Sequence, residues 1–258
     1  MTQQRQLLKT ILAKLAQWAI RKHDIEMIVI LGVNGTDIIK EEAYAVLSSK
    51  YRVRRVTNKA WWDFSIPLSI LGYKDKKRSL PRWIGLIVKT CIYLLFGPKN
   101  SHTIILNLNY SHPDTMKFWS RFINPDILIL SNFNHKESSI NLFIDNTITK
   151  KGSIILHEKS REFMNKSQQG YASIYLIGRS DVAFLKSIIT KTISLSYQER
   201  TETISRKSMS LVPVEALEFG VALGLLKEIS LTDSIYSGLR LDMPSILARI
   251  NHNLRKGE

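Results

Sequence analysis

Two patterns of apolar and polar positions alternate along this chain. Continuous apolar runs stand at 27–31, 103–108, 127–130, 153–156 and 173–177. Helical spacing occupies 38–49, 114–122, 138–146 and 213–227. A strand covered by helices on both faces has no side to show to water, so it reads as an unbroken apolar run. Such strands alternating with helices predict a mostly parallel sheet flanked by helices, the α/β class. After about position 181 the pattern changes: 191–197 and 202–211 predict a small antiparallel element, with two or three helices after it. No repeat or low-complexity tract interrupts this order.

The N-terminal stretch 1–22 places apolar residues at helical spacing broken by Arg5, Lys9 and Lys14. It lacks the uninterrupted apolar centre and small-residue cleavage site of a signal peptide, and predicts an amphipathic helix. The expected organisation is that helix, a main domain over 23–240, and a helical tail over 241–258.

Composition changes this picture only through charge and cysteine. The single Cys91 excludes an internal disulfide and any cysteine-rich metal site, which fits a cytoplasmic location. Net charge is +15, and positions 50–112 hold twelve Lys or Arg against two acids, Asp63 and Asp75. That clustering points to an anionic partner more than a uniform excess would, although a lysine-rich composition is the bland alternative. Within the basic region lies an apolar stretch, 82–96, directly after Lys74, Lys76, Lys77 and Arg78. At 15 residues it is short of the roughly 20 needed to cross a bilayer. Two readings stand. Ile84, Val88, Ile92 and Leu95 are sealed against the sheet, which is the favoured expectation, or the segment lies on the inner face of a membrane with its basic neighbours on anionic headgroups.

The candidate chemistry sits after the first strand, in the turn Gly32-Val33-Asn34-Gly35-Thr36-Asp37. A strand, a glycine turn and a helix make the frame of a phosphate-binding loop. In such a loop a lysine reaches the β- and γ-phosphates and a hydroxyl ligates magnesium. Thr36 and Asp37 occupy those two places. Asp37 stabilises the helix N-terminus but repels a phosphate there. Gly32, Asn34 and Gly35 still offer backbone amides to an anion.

Several stretches, in order, resemble the central ATP-binding domain of the Mur ligases, of the type that joins D-alanyl-D-alanine to the UDP-linked muramoyl tripeptide. They are the loop frame followed by Lys40-Glu41, then Val46 to Val53, Ile66-Pro67-Leu68-Ser69-Ile70-Leu71-Gly72, Asn124-Pro125-Asp126-Ile127, Lys151-Gly152-Ser153-Ile154, Gly178-Arg179-Ser180-Asp181-Val182 and Val221-Ala222-Leu223-Gly224. The resemblance covers about 20–240. It implies a domain that binds ATP and magnesium, activates a carboxylate as an acyl phosphate and lets an amine displace phosphate. It also implies where this chain departs. The family's paired asparagines fall on Trp61 and Trp62, its metal-binding glutamate on Asn107, and its base- and ribose-binding segment on His157-Glu158-Lys159-Ser160. His135 and Glu137 resemble the family's "His-Leu-Glu", in a loop shorter by about two residues, and are weak metal-ligand candidates. The family's modified lysine has no counterpart in 138–146, and its flanking domains have no counterpart in these 258 residues.

The expected function is therefore a degenerate, catalytically inactive Mur ligase-like domain with a binding or scaffolding role linked to peptidoglycan synthesis. No cofactor is expected. One alternative is a residual ligase or nucleotide binder, using ATP and magnesium with a partner chain. Another is a basic binder of membrane surface or nucleic acid, with Trp61 and Trp62 as stacking platforms or interfacial anchors. Core packing in a vacated nucleotide cleft is the favoured reading of the two tryptophans.

Overall fold

A computed structural model describes residues 3–32, 35–56, 64–74, 79–108, 113–131, 138–163, 173–179, 183–189, 192–205 and 213–239. Asn34, Trp61, Trp62, Lys76, Lys77, His135, Glu137 and the tail 241–258 lie outside the described residues. The elements run α1 (Gln3–His23), β1 (Glu26–Leu31), α2 (Thr36–Ser48), β2 (Val53–Arg55), α3 (Ser65–Ile70), α4 (Leu80–Phe96), β3 (Thr103–Leu108), α5 (Pro113–Trp119) and β4 (Ile127–Leu130). They continue α6 (Ser138–Thr149), β5 (Ser153–His157), a short 3₁₀ turn (Glu158–Phe163), β6 (Ser173–Gly178), β7 (Leu185–Ile189), β8 (Thr192–Tyr197), β9 (Arg200–Ser205), α7 (Val214–Leu226) and α8 (Leu231–Leu239).

The nine strands form one sheet in the order β2-β3-β1-β4-β5-β6-β7-β8-β9. Neighbours are parallel from β2 through β7, and β7-β8-β9 are antiparallel. The predicted antiparallel pair is thus present as β8 and β9. Two strands were missed. β2 is three residues of mixed character, and β7, Leu-Lys-Ser-Ile-Ile, has no long apolar run. Both exist through ladder pairing, β2 on β3 and β7 between β6 and β8.

Because side chains alternate across a strand, each central strand feeds two cores. Met27, Val29 and Leu31 join Ile104, Leu106, Leu128 and Ile154 under α1, α5 and α6. Ile28, Ile30, Ile105, Ile129 and Ile155 pack under α2, α7 and α8. α7 is apolar almost all round because it is buried between the sheet and those two helices. Several stretches that resemble the Mur ligases serve this packing. Asp126 accepts the Met27 N–H at 2.7 Å and pairs with Lys150, fixing the starts of β1 and β4. Tyr51 donates to the Lys227 carbonyl at 2.6 Å, tying the end of α2 to α7.

α4 corrects an expectation. Ile84, Val88, Ile92 and Leu95 are not sealed against the sheet: they are 55, 51, 55 and 59% exposed, and Phe96 is 82% exposed. The opposite stripe is buried instead. Leu86 meets Leu12 and Leu68, Leu94 joins the core under α1, and the Thr90 hydroxyl is turned back onto the Leu86 carbonyl. A helix apolar on both sides presents two stripes at i, i+4 spacing, and only its neighbours decide which is covered.

Candidate functional site at the strand ends

Parallel strands direct their C-terminal ends to one edge of the sheet. β1 is followed by the step to β2 and β3 on one side and by β4 on the other. Open α/β sheets place ligands outside the strand ends at such a reversal. The glycine turn after β1 lies there.

Gly32 and Gly35 have separate reasons to be glycine. A side chain on Gly32 would collide with the Ser131 carbonyl, so close approach to the end of β4 requires its absence. Gly35 has φ of 79°, in the left-handed region, with open space around it. Its carbonyl accepts the Ile38 and Ile39 N–H groups and starts α2. Thr36 is buried. Asp37, in the first turn, carries the charge that a helix N-terminus favours.

The partners of Asp37 define the site. Its Oδ1 accepts from Lys40 Nζ at 3.0 Å and from Asn107 Nδ2 at 2.8 Å. Lys40 is one turn further along α2, and Asn107 stands on β3 next to β1, paired with Ile30. The next strand ends are occupied in the same manner. After β4, the Ser131 hydroxyl donates to Glu215 Oε1 at 2.7 Å. On β5, His157 Nε2 lies 3.5 Å from Glu218 Oε2, and the Glu218 side chain is almost wholly buried. Glu158 Oε1 accepts the Arg179 N–H at 2.9 Å, just past β6. The edge is therefore lined by carboxylates, each engaged within the chain, an arrangement that opposes a polyanion. Among the described residues no three His, Cys, Asp or Glu side chains are grouped as a metal ion requires.

Of the residues singled out in the sequence, Gly32, Gly35, Thr36, Asp37, Asn107, His157 and Glu158 fall on this edge. Lys40, Ser131, Glu215 and Glu218 complete it. The two glutamates carried a signal: they are the only charged residues in the apolar α7, spaced i, i+3 and so on one face.

No protein-family model matches the chain. It is 23% identical over 173 residues to the UDP-N-acetylmuramoyl-tripeptide–D-alanyl-D-alanine ligase of Borreliella burgdorferi, a match covering 67% of this chain and 32% of that protein. Solved structures that share its fold include two ligases of this type. MurF from Acinetobacter baumannii superposes with a TM-score of 0.62 at 13% identity, covering 91% of this chain and 50% of that one. MurF ligase from Thermotoga maritima in complex with ADP gives 0.60 at 15% identity, with 88% and 52% covered. The chain spans about half the length of these solved structures. The chain has the fold of a Mur ligase domain, and its sequence likeness runs to the tripeptide:D-alanyl-D-alanine ligase type.

Proposed function

We propose that this domain keeps a Mur ligase fold without magnesium-ATP chemistry, and that it serves a binding or scaffolding role linked to peptidoglycan synthesis. The observation that carries this reading is the Lys40–Asp37–Asn107 network at the N-terminus of α2. Phosphate binding at a helix N-terminus relies on free backbone amides, a positive end and a free cation. Here a carboxylate occupies the first turn and holds the nearby lysine. Asn107, which by resemblance replaces a metal-binding glutamate, donates to that same carboxylate. An amide has no negative charge to offer magnesium. The residues present do not suit magnesium ATP. The link to peptidoglycan rests on the likeness to the Borreliella UDP-N-acetylmuramoyl-tripeptide–D-alanyl-D-alanine ligase.

Each lost charge-assisted contact costs about 1.5–3 kcal/mol, and several are lost together. Titration calorimetry with ATP and magnesium is expected to give no saturable binding below the millimolar range. Micromolar affinity would overturn the reading in favour of a residual nucleotide binder.

A second reading is favoured by the exposed stripe of α4. An apolar face with Arg82 and Lys89 exposed on the same helix, and no acid on it, suits an anionic bilayer surface. Among the described residues no helix is long and apolar enough to cross a membrane, and this contact is peripheral. Co-sedimentation with anionic vesicles, weakening as salt rises and absent with neutral lipid, is the expected behaviour.

A further inference from the structure

A cavity of about 220 Å³ lies at the opposite edge of the sheet, where β1 and β3 begin. His23 at the end of α1, Arg54 on β2, Tyr73 just after α3, Thr90 and Tyr93 on α4, and His102 just before β3 all line it. A water's share of liquid volume is about 30 Å³, so the space exceeds what one bridging water fills. Three polar atoms of its lining residues are buried with no hydrogen-bond partner among the described residues: His23 Nε2, Arg54 Nε and His102 Nε2. His23 is only 5% exposed. Buried polar atoms are nearly always paired, so three unpaired ones on the residues around one cavity single it out as a candidate binding site.

The backbone of Asn100 fixes what the two imidazoles present. Its N–H donates to His23 Nδ1 at 3.1 Å, so neutral His23 carries its proton on Nε2, a donor. Its carbonyl lies 2.8 Å from His102 Nδ1 and accepts a hydrogen bond there. Neutral His102 therefore carries its proton on Nδ1 and has a bare Nε2, which becomes a donor only on protonation.

Charge narrows the class of ligand. Among the described residues the cavity lining contains no carboxylate. Among the described residues Arg54 makes one hydrogen bond, a neutral one from Nη2 to the Ile70 carbonyl. Burial lowers the Arg54 pKa, with a smaller opposing effect of Tyr93. Burial also lowers both histidines, with Lys22, His102 and Arg54 acting further on His23, and Arg54 and Arg52 on His102, while the Asn100 carbonyl opposes the shift at His102. Every charged group named here is cationic. Removing a guanidinium from water without a counter-charge is costly, and an anion in the cavity offsets that cost.

We propose that this cavity binds a small oxyanion of the phosphate class, held by Arg54 and by the Nε2 atoms of His23 and His102. A phosphate group has enough oxygens to meet all three donors, and Arg is suited to it. Binding takes up one proton on His102 Nε2, and His23 stays neutral so as to keep its bond from Asn100. Affinity therefore rises as pH falls through the range where free His102 titrates. The site is independent of the reading given for the α2 edge.

The test uses the full chain, with ring ¹⁵N resonances of the histidines followed during titration with inorganic phosphate. His23 and His102 are expected to shift together and saturably, with His102 moving to its protonated form. Arg54→Gln should weaken binding about tenfold or more, and His102→Gln should flatten the pH dependence. Because α4 lines the cavity, a second arm uses vesicles of phosphatidylglycerol and a third soluble glycerol phosphate. Shifts with vesicles alone assign the phosphate to a lipid headgroup; shifts with the soluble anions assign it to a free ligand. No saturable shift in any arm overturns the proposal. So does unchanged affinity in a folded Arg54→Gln or, if that variant does not fold, a pH dependence unchanged in His102→Gln.

Discussion

Glu42→Gln raises the melting temperature at alkaline pH by roughly 6–12 °C and leaves it nearly unchanged in mild acid. Glu42 is fully buried on α2, where α7 and α8 close over it. A side chain at either Gly220 or Gly238 would collide with it. Neither carboxylate oxygen has a hydrogen-bond partner among the described residues. Burial raises its pKa from 4.5 to about 7. Between those values the unfolded chain has released the proton and the folded chain still holds it, so stability falls as pH rises through the window. Above about 7 the penalty is complete. At 1.36 kcal/mol per pH unit it amounts to roughly 3 kcal/mol. Glutamine keeps the shape and removes the ionisation. Its advantage should therefore open between about pH 5 and pH 8, as read by thermal melts across pH. Parallel profiles for the two proteins would contradict a buried, neutral carboxyl group.

Leu86→Asp unfolds the protein, whereas Val88→Asp two positions away leaves it folded. Leu86 is enclosed by Leu12 and Leu68, with Phe64 and Trp83 alongside. Replacing it removes apolar burial and inserts a carboxylate without a partner, at a combined cost of about 3–5 kcal/mol. That is a large part of the stability of an ordinary domain. Val88 lies on the exposed stripe, where substitutions stay within about 0.5 kcal/mol. The second variant therefore isolates surface chemistry from folding. It places a negative charge in the middle of the apolar face and should abolish co-sedimentation with anionic vesicles while circular dichroism and melting stay unchanged. Vesicle binding equal to that of the original protein would sink the membrane-surface reading of α4. A shift to dimer on size-exclusion chromatography, lost in Val88→Asp, would assign the stripe to a second copy of the chain instead.

The central architecture was legible in the sequence because its strands are covered on both faces. Ile127–Leu130 can only be a buried strand or a short piece of helix, and the flanking turn residues settle the choice. The glycine turn was legible for a similar reason: Gly35 must adopt a positive φ, and little except glycine does so without strain. The identities of Thr36 and Asp37 were also open to reading, and with them the absence of the lysine that a phosphate-binding loop uses.

What Asp37 does instead was decided by the tertiary structure. Its contact with Asn107 joins positions 70 apart and exists because β3 pairs with β1, so no local window contains it. The same holds for the cavity at the other edge. His23, Arg54 and His102 come from three separate stretches of the chain, and each alone reads as an ordinary polar residue at the end or edge of its segment. α4 shows the limit most directly. Its sequence dictates a helix with apolar residues on two sides, but the neighbours α1 and α3 determine which side is buried. Periodicity is a property of the segment itself, and burial is a property of what packs against it.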